Sequence, residues 1–111
     1  MPIQQWSQRI WVVQLGDEPG FTEDLATVHE ASTQAQFLPD IVLDLSGVKH
    51  VNSSQLSALL RMRKNAIDND ARLRLAQPCD PVWAVFLATG LDKVFEFTPD
   101  VTIALAELQI R

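Results

Sequence analysis

The chain has 111 residues, 47% hydrophobic and 21% charged, which supplies apolar surface for one core and excludes a mostly disordered polymer. With 9 basic against 14 acidic residues the formal charge is -5, which argues against nucleic acid, since phosphates are bound by neutralising basic side chains. A single cysteine, Cys79, excludes an intrachain disulfide, and the opening MPIQQWSQRI lacks the basic region and apolar run of a signal peptide, so a cytoplasmic protein without membrane insertion is expected.

Taken in order, the chain alternates between two periodicities. IQQWSQRIWVVQL is rich in β-branched and aromatic residues and predicts one or two strands, with Trp11 in the core and Trp6 exposed. Gly16 and the GDEPG cluster end it. A helix is expected to follow, with Thr22 as N-cap and Glu23 and Asp24 in the first turn. Its apolar side comprises Leu25, Val28, Ala35, Phe37 and Leu38, and Pro39 lies just beyond its end. IVLDL, residues 41–45, is apolar with little alternation, as in a strand buried on both faces, and Asp44 is placed to cap the turn after it.

Residues 53–68 carry the clearest helical spacing, with Leu56, Leu59, Leu60, Ala66 and Ile67 facing inward and Arg61, Lys64, Asn65 and Asp68 facing water. ARLRLA alternates as a strand should. Pro81 suits the first turn of a helix whose apolar residues include Val82, Val85 and Phe86, which packs Trp83 and stops at Gly90. KVFEF then predicts a short strand, and a last helix begins near Asp100. This order implies a single α/β domain over residues 1–111, a mostly parallel central sheet with packed helices. Sites in such sheets gather at the carboxyl ends of strands, where Asn52, Ser53 and Ser54 fall.

Catalytic constellations are absent from the sequence. There is no Gly-rich nucleotide loop, and His29 and His50 share no metal-ligand spacing, so neither metal nor cofactor is expected. His50 precedes Ser53 and Ser54 closely, but no nucleophile elbow or third partner accompanies it, and the chain is read as non-enzymatic. Asp17 and Glu18 read as loop charges, and Cys79 as a small buried hydrophobe. Arg61, Arg63, Lys64, Arg72 and Arg74 form the one basic concentration, either a solvated surface or a docking face for an acidic protein.

VLDLSGVKHVNSSQLSALL resembles the STAS domain of bacterial anti-sigma factor antagonists, in which a buried strand ending D-[LF]-[ST]-G leads to D-S-[ST]-G-L-G at a helix start. Gly16, LRLAQP and the closing VFLATGLDKVFEFTPDVTIAL match further family segments, the last resembling V-x-x-x-L-x-x-[TS]-G-L-x-x-x-[FL]. The resemblance implies a STAS-like fold and a protein that binds an anti-sigma factor serine kinase and so releases a sigma factor. It implies phosphorylation at Ser53 to break the complex and a serine phosphatase to reverse it. The partner surface is then expected over Asn52, Ser53, Ser54, Gln55 and Ser57, continuing to Arg61 and Lys64. Asn52 stands for the family's aspartate, and Gln55 and Ser57 replace two glycines while offering a capping pair with Asn52. The alternative reading is a STAS interaction subunit without phosphorylation, in a signalling complex or a lipid-transport ATPase.

Overall fold

A computed structural model describes residues 3–35 and 37–110. The expected opening strands are both present, β1 (Ile3–Gln5) and β2 (Ile10–Gly16), paired antiparallel with Gln4 opposite Val12. Next come α1 (Gly20–Gln34), β3 (Asp40–Gly47), α2 (Ser53–Asp68), β4 (Leu73–Ala76) and α3 (Asp80–Thr89). A single 3-10 turn (Leu91–Lys93), β5 (Phe97–Thr98) and α4 (Val101–Gln109) complete the chain. The strands lie in sequence order, and β2 through β5 are mutually parallel. The α/β sheet expected from the sequence is therefore mostly parallel, with only β1 reversed.

Each parallel crossover is a helix, and α1, α2 and α3 share one face. Val13, Leu15, Ile41, Leu43, Leu45 and Leu75 meet Phe21, Leu25, Val28, Leu56, Leu59 and Phe86 there. The other face carries α4 alone, whose Ala104 and Leu108 pack on Ile10, Val12, Val42 and Ala76. IVLDL is unalternated for this reason: Leu43 and Val42 are both fully buried, on opposite faces of β3.

The expectations for α1 and α2 need correction. Helix α1 starts at Gly20, and Thr22 lies inside it, donating its N–H (2.8 Å) and its hydroxyl to the Glu18 carboxylate. The helix also ends at Gln34: Ala35 is already extended, with ψ 149°, and its N–H turns back to Ser32 O at 3.3 Å, while Pro39 disfavours helical backbone at Leu38. Phe37 is consequently outside the helix and 62% exposed, with the Arg9 guanidinium over its ring at 5.3 Å. On α2, Leu60 and Ile67 face solvent; the buried stripe instead runs through Leu56, Leu59 and Ala66, with Met62 half-buried beside it.

KVFEF yields only the two-residue β5. The Val94 and Phe95 N–H groups are both spent on the Leu91 carbonyl, so pairing with β4 begins only where Leu75 N–H reaches Glu96 O at 2.9 Å. Phe95 and Phe97 still share a face, as strand alternation requires, and set an edge-to-face cluster with Phe86 and Trp83. Cys79 is half-buried rather than fully enclosed, and its thiol donates to Val48 O at 3.2 Å. Trp11 is buried and Trp6 exposed, as the sequence implied.

Candidate functional site

The β3–α2 junction lies at the carboxyl end of the sheet's central strand and is held from three directions. Asp44 accepts the Ser46 N–H at 2.9 Å, capping the turn as expected. Gly47 sits against β2 so closely that a Cβ there would lie 2.9 Å from the Leu15 carbonyl oxygen. Only glycine fits without displacing one strand end. The third restraint is Asp17, whose Oδ1 accepts the N–H groups of Lys49 (2.8 Å) and His50 (3.2 Å). Those bonds, the Lys49 amide first, hold the Asp17 carboxyl below its ordinary range. Glu18 is lowered as well, chiefly by the Thr22 hydroxyl and N–H, with a lesser contribution from Gln55.

Asp17 and Glu18 are therefore structural acceptors tying the β2–α1 loop to the loop before α2 and to the start of α1. Their sequence signal was weak, because an acid in a GDEPG loop has no periodicity to reveal its target.

Asn52 is the N-cap of α2. Its Oδ1 accepts the Gln55 N–H at 2.9 Å, and Gln55 Oε1 accepts the Asn52 N–H at 2.8 Å. This reciprocal box satisfies two of the helix's orphan donors, and the Leu56 N–H bonds normally to Asn52 O at 3.0 Å. The capping pair anticipated from N-S-S-Q is thus present. Gln55 is only 4% exposed, so the residue expected on the partner surface turns inward and adds no bulk outside.

Ser53 and Ser54 occupy the first two helical positions and are exposed. Among the described residues neither hydroxyl makes a hydrogen bond, and the two N–H groups have no backbone partner. Asn52 and Ser57 are exposed too. At about 3.6 residues per turn, Ser53, Ser57, Leu60 and Lys64 form one outward stripe, with Arg61 at its α1 side. Leu60 was missed because its spacing fits either the core stripe or this one.

His50 is exposed, its N–H is engaged by Asp17, and no bond joins its ring to either serine among the described residues. The basic concentration disperses. Arg63 Nε donates to Val94 O at 2.9 Å, Arg72 pairs with Asp40 at 3.0 Å, and Arg74 with Glu107 at 3.0 Å. Lys64 is bonded to Asp68 at 2.8 Å, which holds its ammonium above the ordinary lysine range. Arg61 alone of these five has no partner among the described residues. No group of three potential metal ligands occurs among the described residues, and no described helix is long and apolar enough to cross a membrane.

The family model described as STAS domain matches residues 5–104. No curated protein sequence matches the chain significantly. Among solved structures, the chain resembles Thermotoga maritima TM1081, described as a candidate anti-sigma factor antagonist. That match has 17% identity and a TM-score of 0.84, covering 97% of this chain and 93% of that one. An anti-sigma-factor antagonist (STAS) domain protein from Planctomyces limnophilus is similar at 20% identity and a TM-score of 0.74, over 94% and 96% of the two chains. A glutamate-for-serine variant of Moorella thermoacetica RsbS gives 20% identity and a TM-score of 0.74, over 98% and 96%.

Proposed function

The chain belongs to the STAS domain family, and from that premise we propose that it is an anti-sigma factor antagonist switched at Ser53. In this reading it acts in the cytoplasm, binds an anti-sigma factor serine kinase through Asn52, Ser53, Ser54, Ser57, Arg61 and Lys64, with Leu60 exposed among them, and so frees the sigma factor. The observation that carries the proposal is the idle hydroxyl of Ser53. It is exposed in the first turn of α2, while the capping work falls to Asn52 and Gln55.

A phosphate at Ser53 adds about -1.5 to -2 charges at neutral pH. The unpaired N–H groups of the first turn and the helix dipole tolerate that charge, so the fold survives it. A partner surface packed over the stripe does not, because the charge must be desolvated or repels acidic groups there. A serine phosphatase then restores binding. The inward placement of Gln55 supports the reading, since it leaves approach to Ser53 unobstructed. Asn52 in place of a carboxylate favours the second reading, a STAS interaction subunit that is never phosphorylated.

Incubation with an anti-sigma factor serine kinase from the native host and ATP, followed by mass spectrometry, decides between them. Phosphate is expected on Ser53, lost in Ser53→Ala, and Ser53→Glu is expected to stay folded but fail to bind the kinase. Phosphate on Ser54 alone overturns the site assignment. Tight kinase binding that Ser53→Glu leaves unchanged overturns the switch.

A further inference from the structure

Helices α1 and α2 rest on the sheet side by side but leave a half-open groove of about 370 Å³ between them. Leu25, Val28, Ile41 and Leu73, all buried, form its floor, and Ala58 and Met62 its α2 wall. His29, Arg61 and Asn65 stand at the polar rim. Among the described residues no carboxylate lines the groove, although acids outnumber bases 14 to 9 in the whole chain. The two lining arginines differ in kind. Arg72 is committed to Asp40 and to the carbonyls of Leu108 and Ile110, whereas Arg61 is exposed and has no partner among the described residues.

An apolar trough with few convergent polar groups is the usual form of a small-molecule site, and this volume lies toward the small end of that range. Water against such a floor finds few partners and is readily displaced by methylene groups. At about 30 Å³ per water-sized group, the groove accommodates roughly a dozen heavy atoms. The unpaired guanidinium at an acid-free rim selects a planar anion it can bind with two parallel N–H groups.

We propose that the α1–α2 groove binds a linear monocarboxylate of roughly ten carbons, its chain on Leu25, Ile41, Leu73 and Met62 and its carboxylate on Arg61. The proposal is independent of phosphorylation at Ser53.

The test is a titration of the labelled full chain with decanoate below its aggregation threshold, followed by methyl and amide NMR shifts. Decanol, decyltrimethylammonium and phosphatidylglycerol vesicles serve as comparison probes. Saturable shifts are expected at Leu25, Ile41, Met62 and Leu73, weakened about tenfold or more by Arg61→Gln or by replacing decanoate with the ammonium probe. Ala58→Leu, which places bulk in the groove, is expected to abolish binding while circular dichroism stays unchanged. Should that variant misfold, Arg61→Gln at the exposed rim still decides. Equal affinity for all three decyl probes, shifts outside the groove, or absence of saturation overturns the proposal. Vesicle binding without binding of free decanoate overturns it too, since the surface then recognises a membrane rather than a monomer.

Discussion

Replacing Gln55 with glycine, the residue the resemblance would place there, tests what the α2 cap contributes. The change removes a side chain that is 4% exposed and whose Oε1 accepts the Asn52 N–H at 2.8 Å. Glycine in a helix costs about 0.5–1 kcal/mol relative to alanine. The lost hydrogen bond adds about 0.5–1.5 kcal/mol, because the Asn52 N–H is left without its protein acceptor. The expected total is therefore about 1–2.5 kcal/mol, with Gln55→Ala losing only the second part. At about 5 °C per kcal/mol for a domain of this size, Gln55→Gly melts roughly 5–12 °C lower. Asn52→Ala breaks the reciprocal bond and costs about 1 kcal/mol. Since either single change opens the same box, Asn52→Ala with Gln55→Ala should cost less than the two separately, by about 0.5–1 kcal/mol. Urea denaturation of the four proteins supplies the cycle. Strict additivity, or a Gln55→Gly midpoint equal to the parent's, refutes the assignment of Asn52 and Gln55 as one capping unit.

Gly47→Ala should cost about 1–3 kcal/mol in urea melts, because its Cβ would crowd the Leu15 carbonyl oxygen at 2.9 Å; a neutral result would mean that β2 and β3 part freely at this end. Arg72→Ala should destabilise by about 3 kcal/mol, since it leaves Asp40, 7% exposed, as an uncompensated buried carboxylate, and Asp40→Asn in that background should recover part of the loss. The Asp17 carboxyl is lowered from 3.8, so its hold on Lys49 and His50 is complete above pH 3.8 and is lost only as pH falls through the lower folded value. The amide shifts of Lys49 and His50 should titrate with a midpoint below 3.8, and that titration should vanish in Asp17→Ala; a midpoint above 3.8 contradicts the geometry.

What the sequence made legible was whatever rests on period and on short-range chemistry. IVLDL reads as doubly buried because no polar residue interrupts it, and residues 53–68 read as a helix because their apolar spacing persists for four turns. The Asn52–Gln55 box spans three residues and needs no tertiary knowledge. The failures share one cause, competition that periodicity cannot see. Ala35 turns extended and closes α1, and Pro39 disfavours a helical Leu38, although Ala35, Phe37 and Leu38 continue the apolar pattern. The Leu91 turn claims the N–H groups that KVFEF would have offered to the sheet. Leu60 is a leucine at helical spacing that the core leaves about one-third exposed, at 36%. At the site, Asp17 acts on residues more than thirty positions away, a link that emerges only when β2 and β3 lie side by side.

The division of labour at the start of α2 explains why two adjacent serines can follow an asparagine there. Had Ser53 been the N-cap, its hydroxyl would have been committed to a backbone N–H, and modifying it would have cost the helix about 1 kcal/mol. Shifting the cap to Asn52 and returning the bond through Gln55 leaves the first-turn hydroxyls without structural duty. The restraints on the preceding loop from Asp44, Gly47 and Asp17 likewise involve no atom of Ser53. A charge added at Ser53 is then felt by whatever rests on the outward stripe and hardly by the fold beneath it. The same independence serves a subunit that is never phosphorylated, since exposed hydroxyls beside Leu60 make a mixed polar and apolar contact surface. The readings therefore part on the sign of one change. A kinase-switched surface loses its partner in Ser53→Glu, whereas a permanent contact tolerates that change better than Leu60→Asp, which puts a charge at the stripe's only exposed large apolar side chain.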